Sequence, residues 1–402
     1  MPALSSRIAR TKLAATFAMA DRARALKAAG HNVISLSLGE PDFPTPDHVI
    51  EAAHQAALRG ETKYPPLSGT AALKEAVREK YRNDQNLHVP LENILITNGG
   101  KQAIFNILMA VINEDAGDEV IIPAPAWAGY EQTVNFAGAT PIFAPCHPAQ
   151  NFVLQPEALE AAITPRTKLL ILNYPNNPTG AAIDAPALQN LATVLRRHPN
   201  IWILSDDIYE KLLFGSHQYV TLAAIAPDLA DRTITLTGVS KTYAMTGWRI
   251  GFLAGPKTIM QAATLVQATA TSGVSTIGQA AALAALTGPQ DVLPLRAAAY
   301  QSRRDVVLAA LNIIPKLRCH RPHGAFYVFP DISALLGQTT PAGRTLHTDT
   351  DFAAALLEEA HVAVVQGSAF AAPKFIRLST ATSEPTLREA CHRIAQFCAS
   401  LR

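Results

Sequence analysis

The sequence predicts an α/β protein built on a mostly parallel, seven-stranded sheet sandwiched by helices, joined to a smaller α+β domain. Two observations lead there. From residue 94 onward, short β-rich runs alternate with Ala- and Leu-rich stretches of helical length, and successive runs lie too far apart for hairpins, so helices must cross over between them. The runs are also continuously apolar, as in Leu169–Leu172 and Ile201–Leu204, which is how strands buried on both faces read.

In chain order, Arg7, Arg10 and Lys12 precede the apolar stretch Leu13–Ala20, a pattern that imitates a signal peptide. The apolar part is short, and Asp21–Lys27 continues a helical periodicity without a break, so the segment is read as an amphipathic arm and first helix. Glu40–Pro46 follows as an ordered Pro-rich turn. Strands are expected at 94–97, 119–122, 140–144, 168–172, 201–205, 233–237 and 250–254, with helices at 101–112 and 128–136 among the connections. A long helical region spans about 257–312, and further strands at 326–329, 362–365 and 375–378 belong to the smaller domain. The expected division is an N-terminal arm with part of the small domain at 1–45, a large domain at 46–290 and the small C-terminal domain at 291–402.

Composition removes several classes. At 402 residues the chain has length for about two domains, and with 49% apolar and 16% charged residues neither a disordered chain nor a coiled coil is expected. Lys plus Arg number 34 against 32 Asp plus Glu, and no run of five or six like charges occurs, so nucleic acid is not an expected partner. Cys146, Cys319, Cys391 and Cys398 are scattered, without the spacing of a disulfide framework or zinc site; a cytoplasmic, reducing location and no metal are expected. No apolar run approaches the roughly 18 residues of a spanning helix, so no membrane association is expected.

In parallel α/β sheets ligands bind at the carboxyl ends of strands, and four ends carry unusual residues. The first runs into Asn98-Gly99-Gly100-Lys101, a strand–glycine–helix turn whose free N–H groups suit an anion, though a plain tight turn reads the same way. Lys101 is a cation where the helix dipole disfavours one, a penalty that a nearby phosphate or carboxylate would remove. The loop Asn173–Gly180 pins Asn177 before Pro178, as a structural turn or as a ligand contact. Asp206 ends an otherwise apolar strand and so should face a cation. Finally, Lys241 stands among small and apolar neighbours with Arg249 following in the same loop; it is either solvated or a desolvated amine of lowered pKa, able to attack a carbonyl. An anion-binding turn, a buried carboxylate, an amine and a positioned Arg together describe a pyridoxal-phosphate site.

At these residues the sequence resembles the class I aminotransferases of the fold type I pyridoxal-phosphate enzymes, in particular the bacterial aspartate aminotransferase branch. The resemblance covers nearly the whole chain. It rests on Ser37–Phe43, Thr62-Lys63-Tyr64, Gly99–Ala103, Pro175–Gly180, Ser205–Glu210, Ser240-Lys241 with Thr246–Gly251, and Arg377–Ser379. It implies that Lys241 carries the cofactor covalently and then shuttles the substrate proton, that Asp206 pairs with the ring nitrogen, and that Tyr209 and Asn177 bond the phenolic oxygen. It further implies that Trp127 stacks on the ring, and that Gly99, Gly100, Lys101, Ser240 and Arg249 hold the phosphate, with Tyr64 reaching in from the partner of a homodimer. Arg377, helped by the Gly39 backbone, is implied to grip the substrate α-carboxylate, and Lys101 the distal carboxylate of an acidic substrate. The expected reaction is ping-pong transfer of an α-amino group between an L-amino acid, aspartate first, and 2-oxoglutarate. Prephenate, aromatic or neutral substrates, and β-elimination as in carbon–sulfur lyases of the same fold, are the rivals within this chemistry. A ligand sensor and a dinucleotide-binding oxidoreductase are disfavoured, the first for want of a basic recognition helix, the second for want of G-x-G-x-x-G. Departures from the family pattern fall at Leu13, Ala126, Gly129, Tyr174 and Thr380.

Overall fold

In the computed structural model, which describes residues 5–11, 15–114 and 116–402, the apolar runs pair into three sheets. The strands are β1 (Ile34–Ser35), β2 (Ile94–Thr97), β3 (Glu119–Ala124), β4 (Thr140–Pro145), β5 (Thr167–Asn173), β6 (Trp202–Asp206), β7 (Thr233–Gly238), β8 (Gly251–Ala254), β9 (Tyr327–Val328), β10 (Val362–Ala363), β11 (Val365–Gln366) and β12 (Ile376–Ser379). The large sheet has seven strands in the order β2-β8-β7-β6-β5-β3-β4. Alternate residues of β5 enter different cores: Leu169 and Ile171 pack with helix Gly100–Val111, while Leu170 and Leu172 pack with helix Ala185–Arg196. Such two-sided burial is why the strand reads as one apolar run.

Most neighbours are parallel, but β8 runs antiparallel to both β7 and β2. Between β7 and β8 the chain makes only a four-residue helix, Val239–Thr242, and a 3-10 turn, Thr246–Trp248, and so returns without a full crossover. Because β8 reverses twice over, β2 points the same way as β7. Thr97, Asn173, Asp206 and Gly238 therefore end at one edge of the sheet, with Asn173 opposite Asp206 and both Thr97 and Gly238 opposite Gly251.

A separate core gathers the two ends of the sequence, with Met19, Ala23 and Leu36 packing among Leu311, Phe352, Leu356, Leu378 and Ile394. There β1 lies parallel to β10, and β12 pairs antiparallel with β9 and β11. The single apolar run at 362–365 thus divides between two sheets; a run with no polar alternation carries no signal of which neighbour each residue takes. The helical region after β8 is three helices, Lys257–Ala270, Thr276–Thr287 and Val292–Leu311, the second capped by Ser275, whose hydroxyl accepts from the Gly278 N–H at 3.3 Å. Near the N-terminus, helix Ala15–Ala28 buries Met19 and Ala23, so this part of the apolar stretch serves packing; Lys12 and Leu13 lie outside the described residues. Among the described residues no helix is long and apolar enough to cross a membrane, and no His, Cys, Asp and Glu group is placed to hold a metal ion.

Candidate active site

The sheet edge where β2, β5, β6 and β7 end opens into a cavity of about 330 Å³. Asp206, the last residue of β6, enters it at 4% exposure. Its Oδ2 accepts from the Tyr130 hydroxyl at 2.6 Å and its Oδ1 more weakly from the Ile208 N–H at 3.3 Å. Burial pushes the carboxyl up to about 6, opposed by the Tyr130 hydrogen bond.

Lys241 sits in the first turn after β7, and its Nζ donates to the Gly39 carbonyl at 2.6 Å. Burial draws the amine down to about 8, with Glu40 pulling the other way and Arg377 and Arg249 adding to the fall. A lysine so placed is a far better nucleophile and base near neutral pH than a solvated one. Tyr209, three residues beyond Asp206, shares a 2.7 Å hydrogen bond with the Tyr327 hydroxyl, and burial holds its phenol well above the usual range.

Arg377, on β12, is 2% exposed. Its Nη1 donates to Asn177 Oδ1 at 3.0 Å and its Nη2 to the Ser37 carbonyl at 2.5 Å, and the Tyr327 and Phe370 rings flank it at 4.7 and 4.9 Å. Its Nε has no partner, and no carboxylate among the described residues pairs with it. A buried guanidinium without a counter-charge is costly unless an anion arrives.

At the other strand ends, Gly99 caps helix Gly100–Val111 with φ +80°, and a Cβ there would lie 2.6 Å from Arg249 Nη2. Only glycine serves both the turn and the close approach. Arg249 donates to the Thr246 and Asn98 carbonyls at 2.8 and 3.3 Å, which aims the guanidinium at the helix start. The Gly100 and Lys101 N–H groups have no acceptor among the described residues. Lys101 continues the same turn, its Nζ 5.6 Å from the Trp127 ring centre. Four cations, Lys101, Lys241, Arg249 and Arg377, therefore line a cavity whose one lining carboxylate is Asp206. Free N–H groups beside Arg249, a lone buried acid, a depressed amine and an uncompensated Arg are the donor set for a phosphorylated, protonatable aldehyde and a carboxylate substrate.

Of the residues singled out in the sequence, Gly39, Gly100, Lys101, Trp127, Asn177, Asp206, Tyr209, Ser240, Lys241, Arg249 and Arg377 line this cavity, and Gly99 sits beneath it as the helix cap. Tyr64 does not; it is 94% exposed, outside the cavity of its own chain. Sequence reasoning missed Tyr130, Asn173, Thr246 and, behind the cavity, Tyr327. Tyr130 was the findable one, since it follows Trp127 by one helical turn and shares its face. Of the departures, Tyr174 turns away, its hydroxyl accepting from the Leu154 N–H at 2.9 Å, and Thr380 is buried outside the lining.

The family model described as aminotransferase class I and II matches residues 31–394. The chain belongs to this family. As a class I and II aminotransferase it is an enzyme that uses pyridoxal phosphate, and the donor set above fits that cofactor. Among its relatives, it is 49% identical to the aspartate aminotransferase of Rhizobium meliloti (strain 1021), over 98% of this chain and 96% of that one. It is 48% identical to the aspartate/prephenate aminotransferase of Cereibacter sphaeroides over the full length of both. The aminotransferase superposes on the crystal structure of an aspartate aminotransferase from Rhizobium meliloti with a TM-score of 0.97 at 48% identity, covering 100% of each chain. It also matches an aspartate aminotransferase from Thermus thermophilus with maleate, with a TM-score of 0.92 at 40% identity over 99% of this chain and 100% of the other.

Proposed function

We propose that the enzyme moves the α-amino group between L-aspartate and 2-oxoglutarate in two half-reactions, as a cytoplasmic homodimer whose chain divides into 1–45, 46–290 and 291–402. The observation that carries this reading is the buried, uncompensated Arg377 in one cavity with the exposed Lys101, two cations for the two carboxylates of one substrate. The names of the relatives and the maleate in the Thermus thermophilus structure agree with a dicarboxylate.

When bound, pyridoxal phosphate supplies an electron sink for the carbanion left when the substrate Cα loses its proton. The Gly99-Gly100-Lys101 turn, Ser240 and Arg249 would hold its phosphate, joined by Tyr64 from the partner; Asp206 would hold its ring nitrogen, Trp127 its ring face, Tyr209 and Asn177 its phenolic oxygen, and Lys241 its aldehyde carbon. Arg377 clamps the α-carboxylate in a planar fork fixed by Asn177 and by the Ser37 carbonyl, beside Gly39, so that the Cα faces the Lys241 amine. Lys241 Nζ takes the Cα proton and later returns one, which an amine drawn down to about 8 can do near neutral pH. Tyr130 keeps Asp206 oriented and eases its ionisation.

The test is the visible spectrum of the holoenzyme. The cofactor band should bleach on adding L-aspartate and return on adding 2-oxoglutarate. A band indifferent to aspartate would refute the substrate, and a protein that takes up no pyridoxal phosphate would refute the site. The clamp has its own test: Arg377→Lys gives up a charge-assisted hydrogen bond and the planar fork, so kcat/KM for aspartate should fall about 10- to 100-fold, mainly through KM. Steady-state kinetics in which the lysine variant matches its parent would remove Arg377 from that role.

A further inference from the structure

Gly129, one of the departures from the family pattern, lies directly behind a ring that lines the cavity. It is the second residue of helix Ala128–Ala137, whose N-cap is Trp127, and its backbone is helical, so the local fold has no need of glycine. The need comes from the indole. A Cβ at 129 would lie 2.4 Å from Trp127 Cη2 and 2.5 Å from both Cζ2 and Cζ3, closer than any side chain tolerates. The six-membered ring of Trp127 therefore rests on the Gly129 backbone. Its position is fixed on another side by the edge of Tyr130, at 5.3 Å between ring centres and 88° between planes. Gly129 is buried and does not itself line the cavity, whereas Trp127 and Tyr130 do. The two residues that flank Trp127 in the chain, Ala126 and Ala128, are also small and buried, so neither props the indole forward. With the helix behind it and Tyr130 beside it, an indole displaced from Gly129 moves toward the cavity it lines, where it narrows the space that cofactor and substrate would share.

We propose that Gly129 is a specificity-determining residue: by letting the Trp127 indole lie back on the helix start, it leaves room for amino acids with ring-bearing side chains in addition to aspartate. The proposal rests on the aminotransferase reading above and adds to it the residue that sets the substrate range. It acts through Trp127 and involves no change in the chemistry.

The experiment compares the parent holoenzyme with Gly129→Ala, a substitution that the helical backbone accepts, using L-phenylalanine and L-aspartate with 2-oxoglutarate as acceptor. The parent should turn over both donors. In Gly129→Ala the ratio of kcat/KM for phenylalanine to that for aspartate should fall at least about tenfold. In a Trp127→Phe background, where a smaller ring clears the new methyl, adding Gly129→Ala should leave the ratio nearly unchanged. The cofactor-free protein gives a readout apart from activity: the Trp127 emission, isolated by difference from Trp127→Phe, should shift in Gly129→Ala as the ring is displaced. An unchanged ratio overturns the proposal whether or not the emission shifts, and so does a parent that uses aspartate but not phenylalanine. A parent that takes up pyridoxal phosphate yet uses neither donor overturns the aspartate reading as well.

Discussion

Lys241→Ala is expected to lower the rate of amino transfer by about 10⁴-fold, because in the proposed mechanism one substitution removes both the covalent anchor of the cofactor and the base that moves the substrate proton. Borohydride treatment of the holoenzyme should fix the cofactor to Lys241, detectable by peptide mass mapping, and in the variant should fix it nowhere. Adduct found at Lys101 or any other lysine would sink the assignment. The amine also makes a prediction about pH. Its value near 8 leaves about a tenth of it neutral at pH 7 and about nine-tenths at pH 9, so uptake of pyridoxal phosphate by the cofactor-free protein should quicken about tenfold over that range. An ordinary lysine would still be accelerating well above pH 9.

Asp206→Asn is expected to separate activity from stability, moving them in opposite directions. Replacing a buried ionised partner with a neutral one would leave the ring nitrogen without the counter-charge proposed for it, and kcat should fall about 10³-fold. In the cofactor-free protein the sign reverses. The native carboxyl titrates at about 6 against an ordinary 3.8, so between those values the native state binds more protons than the unfolded chain. Stability from this group is thus lost as pH rises through that window, and the penalty stands in full above it. The asparagine variant escapes the penalty and should be more stable than its parent at pH 8 by about 1–2 kcal/mol, with a flatter profile from pH 4 to 6. Asp207, pushed up to about 7 by burial, is common to both proteins and cancels in the comparison. Denaturant melts at pH 4, 6 and 8 would decide; a variant less stable than its parent at pH 8 would show that Asp206 stabilises the protein even without cofactor.

Most of the cavity was legible because its residues interrupt a pattern. Asp206 breaks an apolar strand, Gly99-Gly100 breaks a strand–helix junction, and Lys241 stands among small side chains, so each shows against its local background. Tyr130 and Tyr327 do not interrupt anything. An aromatic on a helix face or in a strand reads as core, and both are indeed buried at 1–2% exposure; only the third dimension shows that their hydroxyls meet Asp206 and Tyr209. The reversed direction of β8 was hidden for a related reason, since an apolar run looks the same read either way, and only the short connection from β7 hinted at it. Gly129 was visible as a departure but not as a consequence, because the reason for it is the Trp127 ring lying on its backbone.

The pairing of β1 with β10 also orders events in time. Every strand of the large sheet has left the ribosome once residue 254 has, and with them Asp206, Lys241, Gly99 and Arg249. The core that carries Arg377 cannot close then, since Ile34–Ser35 must wait for Val362–Ala363, and Met19 and Ala23 for the last helix, Glu384–Ser400. A nascent chain thus has Asp206, Lys241, Gly99 and Arg249, the residues proposed to hold the cofactor, before the core around Arg377, the proposed grip on the amino acid, can close. On the reading proposed above, synthesis delivers the substrate clamp after the cofactor site, and until it arrives Lys241 would have no positioned amino acid from which to take a proton.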